Sequence, residues 1–498
     1  MEFFKYLFDS DSVAVIGASN TPGTWGFGVM NTLFSSSKKR KIWPVTKSAS
    51  EVLGIKAYRS IIEVPEEVDF AVISVPASEV PGVMRQCVEK EVNSALIISG
   101  GLAESGEDGA RIEEKVVQIA RLGGLRFIGP NSMGHADTSS DFSTLAWLRE
   151  IKKGPIGFIS QSGTYGERLV NTALAAGLGF SKFISSGNEA DLHLEDYLEC
   201  LAQDEDTQII ALYVEGLREG RRFFNLAKEI TRKKPIVVLK SGRTEGSSRA
   251  AMSHTSALSG SDIVYDAAFR QAGVTRVEDD DQLFDVTTAL LQLPLPRGNR
   301  VGILTEGGGI GVMAAEACER AGLKIPRLSP STMDRLNSIL PSRWSHGNPV
   351  DMTDVITSGK LVTFSCLQEV MEGWTVDAAM VIGGLGVETY FRFFMTSPSE
   401  KLAHLADLLA EEERKGPDLL NELVYTLQKP VVAVKLIPEA VHEPEIYDLL
   451  RRKGIPVYPN PQRAATALAY LVQRHEYLES LGQGEQVYGK VAVAIGHP

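Results

Sequence analysis

What the sequence lacks narrows its function before any motif is read. It has no basic excess: 51 Lys and Arg stand against 63 Asp and Glu, a formal net charge of −12. Nucleic acid and anionic membrane both require a basic face, so neither is expected as the main partner. A small anionic ligand stays open, because one pocket can be locally positive on an acidic protein. No stretch reaches the roughly 18 consecutive apolar residues that span a bilayer, and Met1-Glu-Phe-Phe-Lys5 does not begin a basic-then-apolar leader. The four cysteines, Cys87, Cys200, Cys318 and Cys366, form no CxxC pair and sit in apolar or helical surroundings. Buried thiols in a reducing compartment are expected, hence a cytoplasmic protein. A GxxxxGK[ST] phosphate loop is also missing.

What is there is a repeated pattern. At 498 residues the chain exceeds one hydrophobic core, and its 43% hydrophobic and 23% charged content is ordinary for a globular protein. Three short apolar runs each end in a glycine-rich turn and lead into a helix-like segment: Val13 to Ser19, Ile156 to Gly163 and Val301 to Gly309. Later apolar runs recur in the same order. Val68–Val75 corresponds to Gln208–Val214 and Val376–Ile382, and Ala95–Ile98 to Pro235–Leu239 and Pro430–Val434. Continuous apolar runs alternating with helical stretches predict parallel strands buried on both faces. The fold class is therefore α/β, with three consecutive doubly wound parallel-sheet domains. Turn and charge clusters at Ile151–Pro155 and Leu293–Asn299 give expected domains of 1–140, 150–292 and 298–480, then a tail of 481–498. Ser397–Leu427 reads as a charged helical stretch, with its Glu411–Lys415 run on a solvated face. The apolar run Val491–Ile495 has no assigned place.

In such sheets, ligands lie beyond the carboxyl ends of the strands, where helix N-termini offer unpaired N–H groups. Gly17, Ser19 and the turn Gly23-Thr-Trp-Gly26 fit an approach to pyrophosphate, or equally a turn that only needs positive φ. The second strand, Lys41–Val45, runs into Thr46 and Lys47. An NAD site usually has an acidic residue there; a cation suits a phosphorylated ribose, as in coenzyme A or NADP, and is otherwise a surface lysine. In the second copy, His254 stands in Ser253-His-Thr-Ser-Ala-Leu-Ser-Gly260, among small residues. An imidazole there has the chemistry to take and release a phosphoryl group, or it is an exposed loop residue. Glu215 ends a strand and would orient that ring, or answer a helix dipole. Ser162, Gly163 and Thr164 open a helix whose amides suit a phosphoryl group, and Ser186 and Gly187 form a second small polar turn.

These residues carry a family resemblance. The strings VAVIGASNTPG (13–23), EVLGIKAY (51–58), VDFAVISVPA (68–77) and FIGPNSMG (127–134) are similar to the CoA-binding domain of succinyl-CoA synthetase α chains and ADP-forming acyl-CoA synthetases. SHTSALSG (253–260) resembles the family's phosphohistidine loop, YVEG (213–216) the segment with the glutamate that pairs with it, and SQSGT (160–164) the helix start that cradles it. The third copy, through GNPVD (347–351), resembles the family's last flavodoxin-like domain, and Trp344–Asp351 with His346 is a candidate acyl-pocket segment. The resemblance implies a Rossmann-like CoA-binding domain followed by two flavodoxin-like ones. It implies coenzyme A bordered by Gly17, Ser19, Val75, Pro76, Ser99 and Gly100, with Lys47 and Asn131 in the matching loops, and catalysis by His254 with Glu215. Against the family's PVNPKGGE, this chain reads PVTKSASE (44–51), which puts Lys47 one position early, and Ser132 replaces a cysteine. The expected activity interconverts acyl-CoA, phosphate and a nucleoside diphosphate with carboxylic acid, CoA and the triphosphate. Nucleotide and Mg²⁺ belong to an ATP-grasp module for which no length is left; a separate β subunit would supply it, in a heterotetramer. A CoA-binding regulatory protein and an NADP-dependent dehydrogenase are the rival readings.

Overall fold

In a computed structural model of the chain, the described residues are 3–147, 151–244, 246–247, 261–352, 362–386, 404, 407–408, 410–411, 413–435 and 445–483. His254 with its loop, and Val491–Ile495, lie outside them. The chain divides into two compact units, Met1–Leu283 and Phe284–Pro498.

The first unit holds two parallel sheets. One is built from β1 (Ser12–Ile16), β2 (Lys41–Val45), β5 (Phe70–Ile73), β6 (Ser94–Ile97) and β7 (Arg126–Ile128), in the order β2-β1-β5-β6-β7. A two-stranded hairpin, β3 (Glu51–Val52) and β4 (Ile55–Lys56), follows β2. β1, β5 and β6 are buried at every position, which is why they carry no polar alternation: helices cover both faces. The second sheet contains β10 (Lys153–Ser160), β11 (Phe180–Ser185), β12 (Ile209–Val214), β13 (Ile236–Lys240) and β14 (Thr275–Val277), in the order β14-β13-β12-β10-β11. Two short strands, β8 (His135–Asp137) and β9 (Phe142–Ser143), extend it antiparallel beside β11. Residues 135–143 thus leave the first sheet and hydrogen bond to the second.

Buried polar pairs hold this crossing. Lys182 on β11 is 6% exposed and pairs with Asp137 on β8 at 2.9 Å and with Asp204 at 2.7 Å. His135 is fully buried among the rings of Phe8, Phe70 and Phe142. Its Nε2 donates to the carbonyl of Leu7, in the helix α1 (Phe3–Phe8). Burial lowers its pKa to about 4, so the ring is neutral in the fold.

The second unit repeats the plan with β15 (Val301–Thr305), β16 (Val350–Asp351), β17 (Ala378–Ile382), β18 (Val431–Val434) and β19 (Val457–Tyr458), ordered β16-β15-β17-β18-β19. Counted over the five parallel strands of each sheet, the order 2-1-3-4-5 occurs three times, the flavodoxin-like arrangement. One sequence expectation needs correction here. Within Glu411–Lys415, Glu413 is not solvated: it is 4% exposed, and its Oε1 accepts the N–H of Gly386 at 2.6 Å, because a loop amide beyond β17 needs an acceptor. Cys87, Cys318 and Cys366 are buried and Cys200 half-buried; burial pushes all four thiols up to about 12. Among the described residues, no helix is long and apolar enough to cross a membrane.

Candidate functional site

A cavity of about 890 Å³ opens over the carboxyl ends of β1, β2 and β5. That is the point where consecutive connections leave β1 for opposite faces of the sheet, the usual ligand crevice of this fold. Gly17 forms its floor with φ +96°, and a Cβ there would lie 2.4 Å from the carbonyl oxygen of Ser74. Of the candidates named from sequence, Val75, Pro76 and Lys47 also line it. Lys47 is well exposed and its Nζ donates to Glu79 at 2.7 Å. Four cations that sequence reading did not single out join it: Arg59, Arg85, Arg111 and Lys115. Among the described residues one acidic side chain, Glu79, lines the same cavity, so the pocket is locally positive on an acidic chain. Arg85 comes from α3 (Val80–Glu89), and Arg111 and Lys115 from α4 (Glu107–Gly123). The four-residue spacing of the last two was a usable signal, since it puts both on one helix face.

Ser19, Ser99, Gly100 and Asn131 do not line that cavity. The Ser19 hydroxyl accepts the N–H of Thr21 at 3.0 Å and shapes the turn before α2 (Trp25–Ser35). Ser99 is buried; its Oγ accepts the Val75 N–H at 3.1 Å and donates to the Val75 carbonyl at 2.6 Å, which clasps the ends of β5 and β6. Asn131, at φ +59°, faces Gly100 and donates to the Asn188 side chain at 3.4 Å. Asn188 in turn donates to Glu104 at 2.5 Å and Glu113 at 2.9 Å. Burial raises the pKa of Glu113 against these bonds. For Glu104 burial acts the same way, but the donors Asn188, Gly101 and Leu102 prevail and hold its carboxyl low. Ser132, at the family's cysteine position, is buried and donates to the Ser185 carbonyl at 2.5 Å.

Asn188 belongs to the loop after β11, so this corner leads directly to the second sheet. There Ser162 is the N-cap of α5 (Gly163–Ala175), and the first-turn amides of Gly163 and Thr164 have no intrahelical acceptor. Gly163 packs on Met133, where a Cβ would come within 2.1 Å. Gln161, one residue earlier, links three loops. Its Oε1 accepts the N–H groups of Glu215 at 2.6 Å and Gly216 at 3.0 Å. Its Nε2 donates to the Gly216 carbonyl at 2.8 Å and to Glu189 at 3.0 Å. The Glu215 backbone is therefore set beside the α5 N-terminus. Lys240, nearly buried at the end of β13, donates to the Glu215 carbonyl at 2.8 Å; burial and Arg276 lower its pKa to about 8. The Ser186 hydroxyl points inward and donates to Glu189 at 2.7 Å, while Gly187, at φ +63°, lies where a Cβ would meet the Pro130 carbonyl at 2.2 Å.

Among the described residues one group, His193, Glu195 and Glu219, brings possible metal ligands within 4.8 Å of one another. Glu219 is already paired with Arg222 at 2.9 Å, and Glu195 accepts the Glu219 N–H at 3.3 Å ahead of α7 (Gly220–Ile230). The cluster thus serves a helix start. In the second unit, His346 is exposed, packs at a tilt of 42° against Trp344 and hydrogen bonds to the Ser342 carbonyl at 3.0 Å.

The comparisons with known proteins agree with this arrangement. Residues 11–137 match the CoA binding domain family, and residues 153–290 the succinyl-CoA ligase like flavodoxin domain. The α subunit of acetate–CoA ligase [ADP-forming] II from Pyrococcus furiosus is 38% identical over 479 residues, 94% of this chain and 97% of its own length. Acetate–CoA ligase [ADP-forming] II from Archaeoglobus fulgidus is 40% identical over 379 residues, which are 75% of this chain and only 56% of that protein. Among solved structures, the dinucleotide forming acetyl-coenzyme A synthetase 1 of Ca. Korarchaeum cryptofilum in complex with phosphate and ADP superposes with a TM-score of 0.80 at 29% identity, covering both chains completely. With the relationship to the Pyrococcus subunit running through nearly the whole of both chains, this chain belongs to the family of ADP-forming acetate–CoA ligase α subunits, within the succinyl-CoA synthetase α-like superfamily.

Proposed function

We propose that the chain is the CoA-binding, phosphohistidine-carrying α subunit of an NDP-forming acyl-CoA synthetase. Its parts are a CoA-binding domain (1–140), a phosphohistidine domain (150–292) and a third domain (298–480). The observation that carries the reading is the positive cavity at the switch point of the first sheet, with five basic side chains around a glycine floor. Phosphates of coenzyme A would meet Lys47, Arg59, Arg85, Arg111 and Lys115, and its chain would pass Gly17, Val75 and Pro76. Ser19, Ser99, Gly100 and Asn131 would shape the loops around it.

In the synthetic direction for ATP, a phosphate oxygen attacks the acyl-CoA carbonyl and the C–S bond breaks, which gives acyl phosphate and free CoA. A neutral imidazole nitrogen of His254 then attacks phosphorus, and the carboxylate leaves. Glu215 orients the ring and stabilises its positive form. The amides at Ser162, Gly163 and Thr164, with the turn at Ser186 and Gly187, hold the phosphoryl oxygens. The phosphoryl group finally passes to a nucleoside diphosphate on an ATP-grasp β subunit, which supplies Mg²⁺ as well. The relatives named as α subunits support a partner chain, and we place the assembly, a heterotetramer, in the cytoplasm.

Titration calorimetry on the full chain tests the first step. CoA and desulfo-CoA should bind alike, and NAD(H) should not bind. A preference for NADPH over CoA overturns the proposal.

A further inference from the structure

The chemistry proposed for Glu215 depends on where its carboxylate is held, and Gln161, which sets its backbone, stands in the resembling SQSGT segment with no role of its own assigned to it. Gln161 uses its whole amide on this task. Two N–H groups, of Glu215 and Gly216, converge on Oε1 at 2.6 and 3.0 Å, and both hydrogens of Nε2 are spent on the Gly216 carbonyl and Glu189. An amide used this way has one orientation, because the reversed group would set nitrogen against two donors. What fixes that orientation from the far side is Glu189. It is 2% exposed, sits at φ +54° after β11, and collects the Ser186 hydroxyl and Gln161 Nε2 on a single oxygen. A non-glycine residue in left-handed backbone, carrying a carboxylate into the interior, is costly unless that carboxylate is used.

We propose that Glu189 and Gln161 are positioning residues for the phosphoryl-transfer site, a two-residue relay by which the loop after β11 fixes Glu215 beside the N-terminus of α5. This rests on the reading of Glu215 as the partner of His254. The relay crosses the sheet: Glu189 follows β11, Gln161 follows β10 and Glu215 follows β12, three neighbouring strands in the order β11-β10-β12. One acceptor therefore registers the three loops that meet where phosphate would sit. The relay is also sensitive to proton concentration. Burial raises the Glu189 carboxyl to about 7, with Ser186 and Gln161 pulling it down, Glu195 from α6 (Leu194–Gln203) pushing it up, and Arg218 from the loop after β12 pulling it down. The buried ring of Tyr197, also on α6, faces the same charge. The ionised carboxylate is the stronger acceptor, so Gln161 is held best when Glu189 is ionised.

The test uses the full-length chain with acetyl-CoA and radiolabelled phosphate, and reads the rate of protein phosphorylation against pH. Wild type should lose rate as pH falls through about 7. Glu189→Gln should be ~10-fold slower above that limb, the scale of a lost positioning contact, and its acid limb should be shallower than wild type, leaving only the loss that protonation of the His254 imidazole brings. Gln161→Met should be slower still, and the double variant no worse than Gln161→Met alone, because coupled residues are not additive. CoA affinity and melting temperature should stay near wild type in Glu189→Gln. Additive losses, an acid limb in Glu189→Gln identical to that of wild type, or wild-type rates in either single variant overturn the relay. A His254→Ala arm separates the two readings: persistent labelling there sinks the role of His254, whatever the relay variants do.

Discussion

Gly26 rests on the backbone of Gly17: a Cβ on Gly26 would lie 2.0 Å from the Gly17 carbonyl oxygen. Gly17 in turn needs its positive φ to turn the chain from β1 toward α2, with its N–H on the Val45 carbonyl at 2.9 Å. The two glycines lock helix, turn and strand at the edge of the basic cavity, so the cavity floor is a packing problem before it is a binding one. Gly26→Ala should cost ~2 kcal/mol or more, since no flexible side chain is there to yield. Denaturant unfolding measures this, and CoA affinity should fall with it. An unchanged midpoint would mean that the helix start shifts freely.

The basic cavity should bind through spread charge. Lys47 is exposed and shared with Glu79, so Lys47→Ala should weaken CoA binding only modestly, about threefold or less, as for an exposed pair. Arg111→Ala with Lys115→Ala, two lining cations together, should weaken it more and flatten the salt dependence of the affinity. Calorimetry at two ionic strengths distinguishes these outcomes. Equal effects from both sets would place the phosphate nearer Lys47 than the other cations.

Labelling and turnover should separate the two chains. With acyl-CoA and phosphate, the chain should acquire an acid-labile, base-stable phosphate without nucleotide, and His254→Ala should abolish it. Glu215→Gln should slow labelling by ~10²-fold or more. Net ATP synthesis should appear only when an ATP-grasp partner is added. Turnover by the single chain would show that the nucleotide site had been assigned to the wrong polypeptide.

Acid should loosen the crossing between the two sheets of the first unit. The pKa of His135 falls from 6.5 to about 4 on folding, because burial disfavours its charged form. Its contribution is intact above pH ~6.5 and is lost as pH falls toward ~4, up to ~3 kcal/mol if nothing relaxes. Glu189 has the opposite sign: its carboxyl rises to about 7 in the fold, so it favours the native state as pH drops from 7 toward its ordinary 4.5. His135→Gln, which keeps a donor for the Leu7 carbonyl, should reduce the fall in melting temperature between pH 6.5 and 4.5. An unaltered pH profile would mean that the ring is solvated.

The strands were legible in the sequence because their information is local. Apolar runs such as Val13–Ile16 and Ile209–Val214 stay buried on both faces wherever their helices are placed, and the fixed order of three such runs specified three doubly wound sheets. Gly17 was legible for a similar reason, as the glycine turn at a strand end, whereas Val75 and Pro76 were named only through the family resemblance. The rest required partners distant in the chain. The capture of β8 and β9 by the second sheet depends on Lys182 meeting Asp137, and the basic cavity gathers Arg59, Arg85 and Arg111 from separate elements. Nothing around Glu413 announces that it will serve the amide of Gly386, nor around Gln161 that it will hold Glu215. Sequence pattern determined which segments had to be buried; only tertiary structure decided which polar groups were buried with them, because each needed an acceptor or donor that the chain supplies dozens of residues away.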